Sequence, residues 1–257
     1  MSKKISLVTV TYNSAATLRD TMESVLSQNY RNLEYIVVDG KSSDGTLDII
    51  KEYEQKFGGR MRWISEPDRG LYDAMNKGIR MATGDIVGIL NSDDFYHRTD
   101  TISKVAEAFE NPDVDAVYGD LTFVSSSDTQ KVTRYYSSKG FKPWKFRFGF
   151  MPAHPTFFTY KTNFDKFGYY KPEYKVAADF ELLIRFLKLN KLRTEYLPFE
   201  FLRMRDGGVS TTVKNRIITN NKEIAKACRD NGLWTCLPLM LLRYPFKIAG
   251  FIRKNRN

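Results

Sequence analysis

The sequence predicts an α/β fold with a mainly parallel sheet flanked by helices. Over the first hundred residues, short apolar or β-branched segments alternate with stretches whose apolar residues recur at three- and four-residue spacing. Each short segment ends in a polar loop. Strands that alternate with helices form βαβ units, in which the strands pair in parallel. With 257 residues, of which 42% are hydrophobic and 27% charged, the chain can build one substantial core.

Four strands are predicted in the first half of the chain, each followed by turn or polar residues. They are Ile5–Val10, Tyr35–Val38, Met61–Ile64 and Ile86–Leu90. Helices are predicted between them: the first contains Leu18, Met22, Val25 and Leu26, the second Leu47, Ile50 and Tyr53, and the third spans Leu71–Ala82. Because ligands bind beyond the carboxyl ends of parallel strands, we expect Asp39 and the Asn91–Asp94 segment to face a ligand.

The second half of the chain is less regular. A predicted helix contains Ile102, Val105, Ala106 and Phe109, and three shorter strands follow it, namely Ala116–Tyr118, Leu121–Val124 and Val132–Tyr136. Residues 140–160 are aromatic and irregular, and a further amphipathic helix contains Phe180, Leu183, Ile184 and Leu187. A boundary near Ser210–Lys214 divides the chain into a main domain, residues 1–213, and a basic helical tail, residues 214–257.

The net charge of +10 is concentrated in that tail, which has ten basic and two acidic residues and therefore a net charge of +8. The nearly neutral body argues against a nucleic-acid groove across the fold. Cys228 and Cys236 lie far from any CxxC motif or Cys/His cluster, so neither a disulfide nor a zinc site is predicted. No apolar stretch approaches the ~20 residues of a membrane-spanning helix, and the first strand begins too early for a signal peptide. We expect a reduced, cytoplasmic protein.

Four motifs occur in order near the ends of the predicted strands: Ile5–Asn13, Val38–Thr46, Ser65–Gly70 and Leu90–Asp94. As a set they closely resemble the family 2 glycosyltransferases, which have the GT-A fold. The later segments Ala153–Phe157 and Ala177–Leu183 are similar to the acceptor-side motifs of that family, so the resemblance covers residues 5 to about 205. It implies a nucleotide-binding half, residues 1–94, and an acceptor half, residues 95–213.

The Asn91–Asp94 segment is predicted to hold a divalent cation. A diphosphate donor carries negative charge, which a hard cation bound to carboxylate oxygens neutralises. The family usually has a D-x-D motif here, whereas this chain has Asn91 in the first position. The resemblance implies Asp93 as the leading ligand of Mg²⁺ or Mn²⁺, Asp94 as the second, and Asn91 as a ribose contact. The alternative is that the two acidic residues merely solvate a loop.

The nucleotide pocket is expected around the ends of the first two strands. The resemblance implies that Asp39 accepts a hydrogen bond from the base, that Thr11 and Tyr12 line the same pocket, and that Asp68 closes it. The family usually carries a second Asp where this chain has Gly40, so the pocket differs in detail. A role for Asp39 in stabilising the turn is the alternative.

Asp179 precedes the amphipathic helix of the acceptor half. The resemblance implies that it is the general base, which takes a proton from the acceptor hydroxyl and typically contributes ~10²–10⁴-fold to the rate. An N-cap worth about 1 kcal/mol is the alternative. His154, in an aromatic segment flanked by proline, is predicted either to orient acceptor or phosphate or to be a hydrogen-bonded structural histidine.

The reaction implied by the resemblance is an inverting, metal-dependent transfer of a sugar from a nucleoside-diphosphate donor to a glycan acceptor, in bacterial enzymes often a lipid-linked one. A sugar nucleotidyltransferase would instead need a glycine-rich phosphate loop after the first strand, which Thr11–Ala15 does not supply. An inactive nucleotide-sugar-binding scaffold is the other alternative, and the joint presence of Asp39, Asp93 and Asp179 argues against it.

The tail combines apolar and basic residues over Leu233–Lys254 and is interrupted by Pro238 and Pro245. Such a segment suits a helix lying in the interface of an anionic membrane, with the protein peripheral on the inner face of the cell membrane. Packing of the same residues onto the main domain is the alternative.

Overall fold

A computed structural model describes residues 2–206 and 214–245 of the chain. Its first half contains the predicted βαβ units. The strands are β1 (Ile5–Thr11), β2 (Leu33–Asp39), β3 (Met61–Ser65) and β4 (Ile86–Ile89), and the helices are α1 (Leu18–Leu26), α2 (Thr46–Lys56) and α3 (Leu71–Met81). The four strands are parallel, in the order β3-β2-β1-β4. The predicted α/β class is confirmed.

The second half extends the same sheet with strands of mixed direction. The elements are β5 (Asp94–Phe95), α4 (Thr101–Ala108), β6 (Ala116–Val124), β7 (Val132–Tyr136), β8 (Phe158–Tyr160), α5 (Lys161–Phe167), α6 (Ala178–Leu183), β9 (Thr194–Arg205), α7 (Lys214–Asp230) and α8 (Leu237–Leu241). Strand β8 pairs antiparallel with β4 and β6, β9 runs parallel to β6, and β5 and β7 pair antiparallel with β9 and β6.

Several local predictions for this half are wrong. The segments Ala116–Tyr118 and Leu121–Val124 form one strand, β6, because Gly119 stays extended where the Phe201 ring packs against its backbone; a Cβ there would lie 2.2 Å from that ring. Residues 140–160 contain two short 3₁₀ helices, Pro143–Phe148 and His154–Thr156. Strands β8 and β9 and helix α5 were not predicted, since they show no clear period in the sequence.

The sheet is buried on both faces, and the alternation of side chains along its strands divides the core in two. Val8, Val10 and Val38 point to the side covered by α3 and α6, whereas Leu7 and Val37 point to the side covered by α1, α2 and α4. Burial on both faces explains why β1 and β2 read as nearly continuous apolar runs.

Helix α7 packs on the same core as α6. Its residues Ile224, Ala227 and Cys228 are buried in the cluster that contains Phe180 and Leu183 of α6. The described part of the predicted tail therefore shares a core with the main domain. The predicted boundary near Ser210–Lys214 lies largely outside the described residues and stays a prediction.

Candidate active site at the carboxyl edge of the sheet

The loops after β1 and β2 are joined by hydrogen bonds. The backbone N–H of Asn13 donates to Ser42 Oγ at 2.8 Å, and Asn13 Oδ1 accepts from the N–H of Ser43 at 2.9 Å. Asn13 and Lys41 both have left-handed backbone angles, with φ of 48° and 63°. Such conformations cost about 1–3 kcal/mol each and are found most often at ligand sites, where surrounding contacts hold them.

Asp39 lies at the end of β2 and is completely buried. Its carboxylate accepts hydrogen bonds from the N–H and hydroxyl of Ser42 and, at 2.6 Å, from Ser65 Oγ. A carboxylate offers about four acceptor positions, so one remains, on Oδ1. The alternative function of Asp39, stabilising its turn, is therefore present in the structure. Recognition of a base stays a prediction, and it can use only that fourth position while the serine contacts persist.

The family usually carries a second aspartate at the position of Gly40. In this chain Asp68 occupies the space above Gly40. A Cβ atom on Gly40 would lie 2.6 Å from Asp68 Oδ2 and 3.4 Å from the Tyr12 ring. Tyr12 is 65% exposed beside it, and Thr11 has a buried hydroxyl with no hydrogen-bond partner in the described chain. The predicted pocket residues Thr11, Tyr12 and Asp68 thus lie at one edge of the sheet, together with Asp39.

The Asn91–Asp94 segment is fixed on both sides. The carbonyl of Ser92 accepts hydrogen bonds from the hydroxyls of Thr17 and Thr21 at 2.8 and 3.0 Å, and Ser92 Oγ lies 2.9 Å from Ser14 Oγ. From β9, the guanidinium of Arg205 donates to the carbonyl of Asp93 at 2.7 Å. These contacts place the segment next to the loop after β1.

The two acidic side chains of this segment differ in environment. Asp94 is completely buried, and its Oδ2 accepts from the amide of Asn91 at 3.0 Å. Burial and the neighbouring charge of Asp93 raise the pKa of Asp94 well above its usual value. Burial raises the pKa of Asp93 as well, against the opposing charge of Arg205. Asp93 remains partly exposed, and no other residue in the described ranges donates a hydrogen bond to its carboxylate.

These residues fit a divalent cation bound together with a diphosphate. Residues 2–206 and 214–245 contain no group of three or more His, Cys, Asp or Glu side chains that could hold a metal alone. Mg²⁺ and similar ions, however, often use only one or two carboxylates, and phosphate and water oxygens complete the shell. Within the part of the chain that the structure describes, Asn91 Oδ1 and Asp94 Oδ1 are buried without a hydrogen-bond partner, and the half-buried Asp93 is next in sequence to Asp94. All three are hard oxygen donors.

Asp179 lies in the first turn of α6, where the N-cap residue is Ala177. It is therefore not the N-cap, although its Oδ1 accepts from the N–H of Phe180 at 2.7 Å. The same oxygen lies 3.4 Å from the hydroxyl of Tyr72, at the start of α3. Burial is the largest cause of a raised pKa at Asp179. Its carboxylate is held in the protein with only partial hydrogen bonding, which suits a group that must accept a proton.

His154 belongs to the surroundings of Asp179. It is buried, and its Nε2 lies 2.6 Å from the hydroxyl of Tyr170, whose ring stacks on Tyr72 with centroids 5.6 Å apart. Burial lowers the pKa of His154, while the charge of Asp179 opposes that shift. The hydrogen bond to Tyr170 is the structural role that was the alternative for His154. Sequence reasoning missed Tyr72 and Tyr170, because no motif distinguishes them among the 15 tyrosines.

Comparison with known proteins identifies the family. The model described as "Glycosyl transferase family 2" matches residues 6–172. The chain belongs to glycosyltransferase family 2. It is 31% identical over 213 residues to a PGL/p-HBAD biosynthesis glycosyltransferase of Mycobacterium tuberculosis, covering 82% of this chain and 80% of that protein. It is also 32% identical over 184 residues to an uncharacterised glycosyltransferase of that organism, covering 70% and 68% of the two chains.

Solved glycosyltransferase structures share the fold. A structure of S. aureus TarS 1–349 in complex with UDP-GlcNAc aligns over 99% of this chain and 76% of that one, with a TM-score of 0.70 at 18% identity. The mannosyltransferase PcManGT from Pyrobaculum calidifontis, in complex with GDP-Man and Mn²⁺, aligns over 99% and 74% with a TM-score of 0.69 at 17% identity. The family 2 glycosyltransferase described here therefore has the GT-A fold that its motifs predicted.

The contact between Gly40 and Asp68 generates a prediction for the nucleotide pocket. In Gly40→Ala the new methyl would push Asp68 aside, and we expect the affinity for a nucleoside diphosphate to fall about 10-fold, as for a lost hydrogen bond to a charged group. The free energy of unfolding should change by less than about 1 kcal/mol, because a flexible side-chain end can move. Calorimetric titration with UDP and GDP measures the affinity. Gly45→Ala, whose Cβ would lie 3.7 Å from Ala15, is the control; equal affinities in both variants would contradict the prediction.

Proposed function

We propose that this enzyme transfers a sugar from a nucleoside-diphosphate donor to a glycan acceptor by a single displacement with inversion. The observation that carries the proposal is the placement of two carboxylates with incomplete hydrogen bonding: Asp93 at the donor edge of the sheet and Asp179 on the acceptor side. The two regions are close along the chain, since Asp68, over Gly40, also accepts from the N–H of Gly70, and Tyr72, which contacts Asp179, follows two residues later.

In this mechanism the acceptor hydroxyl oxygen attacks the anomeric carbon while the bond from that carbon to the diphosphate breaks. The hydroxyl proton goes to Asp179, whose raised pKa brings its basicity closer to neutral pH. A divalent cation held by Asp93, with Asn91 and Asp94 beside it, would neutralise the charge that develops on the leaving nucleoside diphosphate. Complete burial of Asp94 and its bond to Asn91 favour Asp93 as the direct ligand and Asp94 as a support for Asn91.

The relatives support the substrate classes. Two TarS structures contain UDP or UDP-GlcNAc, the P. calidifontis mannosyltransferase structure contains GDP-Man, and the mycobacterial relative is named for PGL/p-HBAD biosynthesis. We infer a nucleotide-sugar donor and a glycan acceptor of polysaccharide or cell-surface glycan synthesis, where acceptors include lipid-linked ones. Turnover of a radiolabelled nucleotide sugar distinguishes this enzyme from an inactive scaffold, and release of nucleoside diphosphate distinguishes it from a nucleotidyltransferase.

Asp93→Asn should reduce transfer about 10²-fold or more, the usual cost of removing one group that stabilises developing charge. The carboxamide keeps the size of the side chain but loses the negative charge that binds the cation. Mn²⁺-dependent binding of UDP or GDP should weaken, while thermal unfolding stays close to that of the wild type. Asp48→Asn, an exposed aspartate on α2, is the matched control. Full transfer by the wild-type enzyme in EDTA, with metal content measured as nil, would remove the cation from the mechanism.

Asp179→Asn should lower kcat by about 10²–10⁴-fold and leave the donor Kd unchanged, because it removes the base without altering the nucleotide pocket. In the wild type, kcat should fall as pH falls through the pKa of Asp179, and burial places that fall above the ordinary range of aspartate. The pH profile of kcat and calorimetric donor binding measure the two effects. A variant that loses donor binding or stability while retaining kcat would show that Asp179 is structural.

We also propose that the C-terminal segment binds an anionic membrane surface. In the described chain no helix is long and apolar enough to cross a membrane. Leu233 and Met240 are buried, so the alternative of packing onto the core holds for one side of the segment. The other side is apolar and exposed, with Trp234, Leu237, Leu241 and Leu242 between 47% and 68% accessible. The excess of cations in the sequence from residue 214 onward suits lipid phosphate. The predicted insertion residues Phe246 and Phe251 lie outside the described residues.

Replacing Leu237 and Leu241 together with serine should weaken sedimentation with vesicles of anionic lipid, because both are exposed and lie one helical turn apart. Truncation near Asn231 would also remove the buried Leu233 and Met240, so surface substitution is the cleaner test. The matched control replaces Leu189, 46% exposed on another surface, with serine. The wild-type protein should sediment more with anionic than with neutral vesicles, and part of this binding should persist in high salt. Equal sedimentation of the double variant and the control would exclude this surface as the anchor.

A further inference from the structure

A carboxylate on the C-terminal helix α7 binds the backbone immediately before the helix of Asp179. Glu223 Oε1 accepts from the N–H of Lys175 at 2.9 Å, and Oε2 accepts from the N–H groups of Val176 and Ala177 at 2.9 and 3.0 Å. Ala177 is the N-cap residue of α6, two positions before Asp179. A negative charge that satisfies successive N–H groups at a helix start stabilises that start.

Further contacts tie the same segment to α7. The hydroxyl of Tyr174 donates to Asp230 Oδ2 at 2.6 Å, and Lys226 lies 3.2 Å from that hydroxyl. Beyond Asp179, the amide of Asn231 donates to Glu181 Oε1 at 3.3 Å. Helix α7 and the residue that follows it therefore contact the chain on both sides of Asp179 in sequence, through backbone atoms before it and through the Glu181 side chain after it.

The interaction with Glu223 differs from these because it acts on main-chain atoms. Side-chain contacts such as that of Tyr174 fix the segment at single points, whereas three consecutive backbone bonds define the path of residues 175–177 and hence where α6 begins. Burial is the largest cause of the raised pKa of Tyr72, which contacts Asp179; the charge of Asp179 adds to it, and the charge of Glu223 contributes least. Glu223 thus lies near the base but touches no reacting group.

We propose that Glu223 is a positioning residue: it holds the start of α6 so that Asp179 meets the acceptor hydroxyl at the right distance. The inference rests on the proposed function of Asp179 as base. Displacement of a reacting group by about 1 Å costs up to ~10²-fold in rate. Helix α7 is then part of the catalytic apparatus, although it contributes no group to the chemistry.

The test compares Glu223→Gln and Glu223→Ala with Glu173→Gln, an exposed glutamate in the same region. We expect kcat to fall about 10-fold to 100-fold in the alanine variant and less in the glutamine variant, whose single carbonyl oxygen keeps part of the bonding. The Kd for UDP or GDP with Mn²⁺ should stay within twofold of the wild type, and Glu173→Gln should behave as the wild type. All rates are measured well below the unfolding temperature of each variant.

Amide hydrogen exchange gives a readout that is independent of turnover. Residues 175–181 should exchange faster in both Glu223 variants, while β1 and β2 keep their protection. Any one of three results would overturn the inference. These are a kcat of the alanine variant within twofold of the wild type, a loss of nucleotide affinity parallel to the loss of kcat, and unchanged exchange at residues 175–181. If the alanine variant does not fold, the glutamine variant, which has the same shape, decides by the same criteria. A wild-type enzyme that turns over no nucleotide sugar would instead overturn the proposed function, and unchanged exchange would still count against the positioning role.

Discussion

Parallel pairing of β1 with β2 and β4 is the constraint on which the candidate active site depends. The register sets Thr11 beside Asp39 at the end of β1 and β2, and pairs Val8 with Ile89 on the other side. Parallel strands deliver their following loops to the same edge, so a single register gathers the nucleotide-pocket residues and the Asn91–Asp94 segment. Apolar side chains on both faces hold that register, because a slip of one residue would exchange the two halves of the core.

The acidic side chains of the candidate site and of helix α6 are stabilised to different degrees. Asp39 accepts three hydrogen bonds, which hold the turn after β2 and the end of β3 together. Glu181, also buried, is paired with Arg185 and Lys171, which hold its pKa below the usual value. No salt bridge to Asp93 or Asp179 occurs among residues 2–206 and 214–245, and burial is the largest cause of the raised pKa of both. Incomplete stabilisation of a half-buried acid costs folding free energy, and such acids cluster where a ligand or proton completes the set.

The C-terminal segment, from α7 to residue 245, packs against the rest of the fold through polar as well as apolar side chains. Arg243, a basic residue of the tail, is buried and donates to the carbonyl of Gly149 and to Asn221, so part of the tail's charge is used in packing. The exposed apolar residues of α8 lie beyond these contacts. The same segment can therefore hold the acceptor side by its buried face and, in our proposal, meet a lipid surface by its exposed one.

Sequence by itself determined the elements of the first half of this protein. These are the succession of β1 to β4 along the chain, the helices between them, and the polar residues that follow each strand. Such information is local, because apolar periodicity and turn residues are read within a few positions. Only the tertiary structure decided the continuity of β6 through Gly119, the presence of β8 and β9, and the contacts of the candidate base. Tyr72 and Asp179 are 107 positions apart, and Glu223 reaches Ala177 across 46. No pattern within one segment specifies such pairs, since they depend on how the helices pack across the sheet.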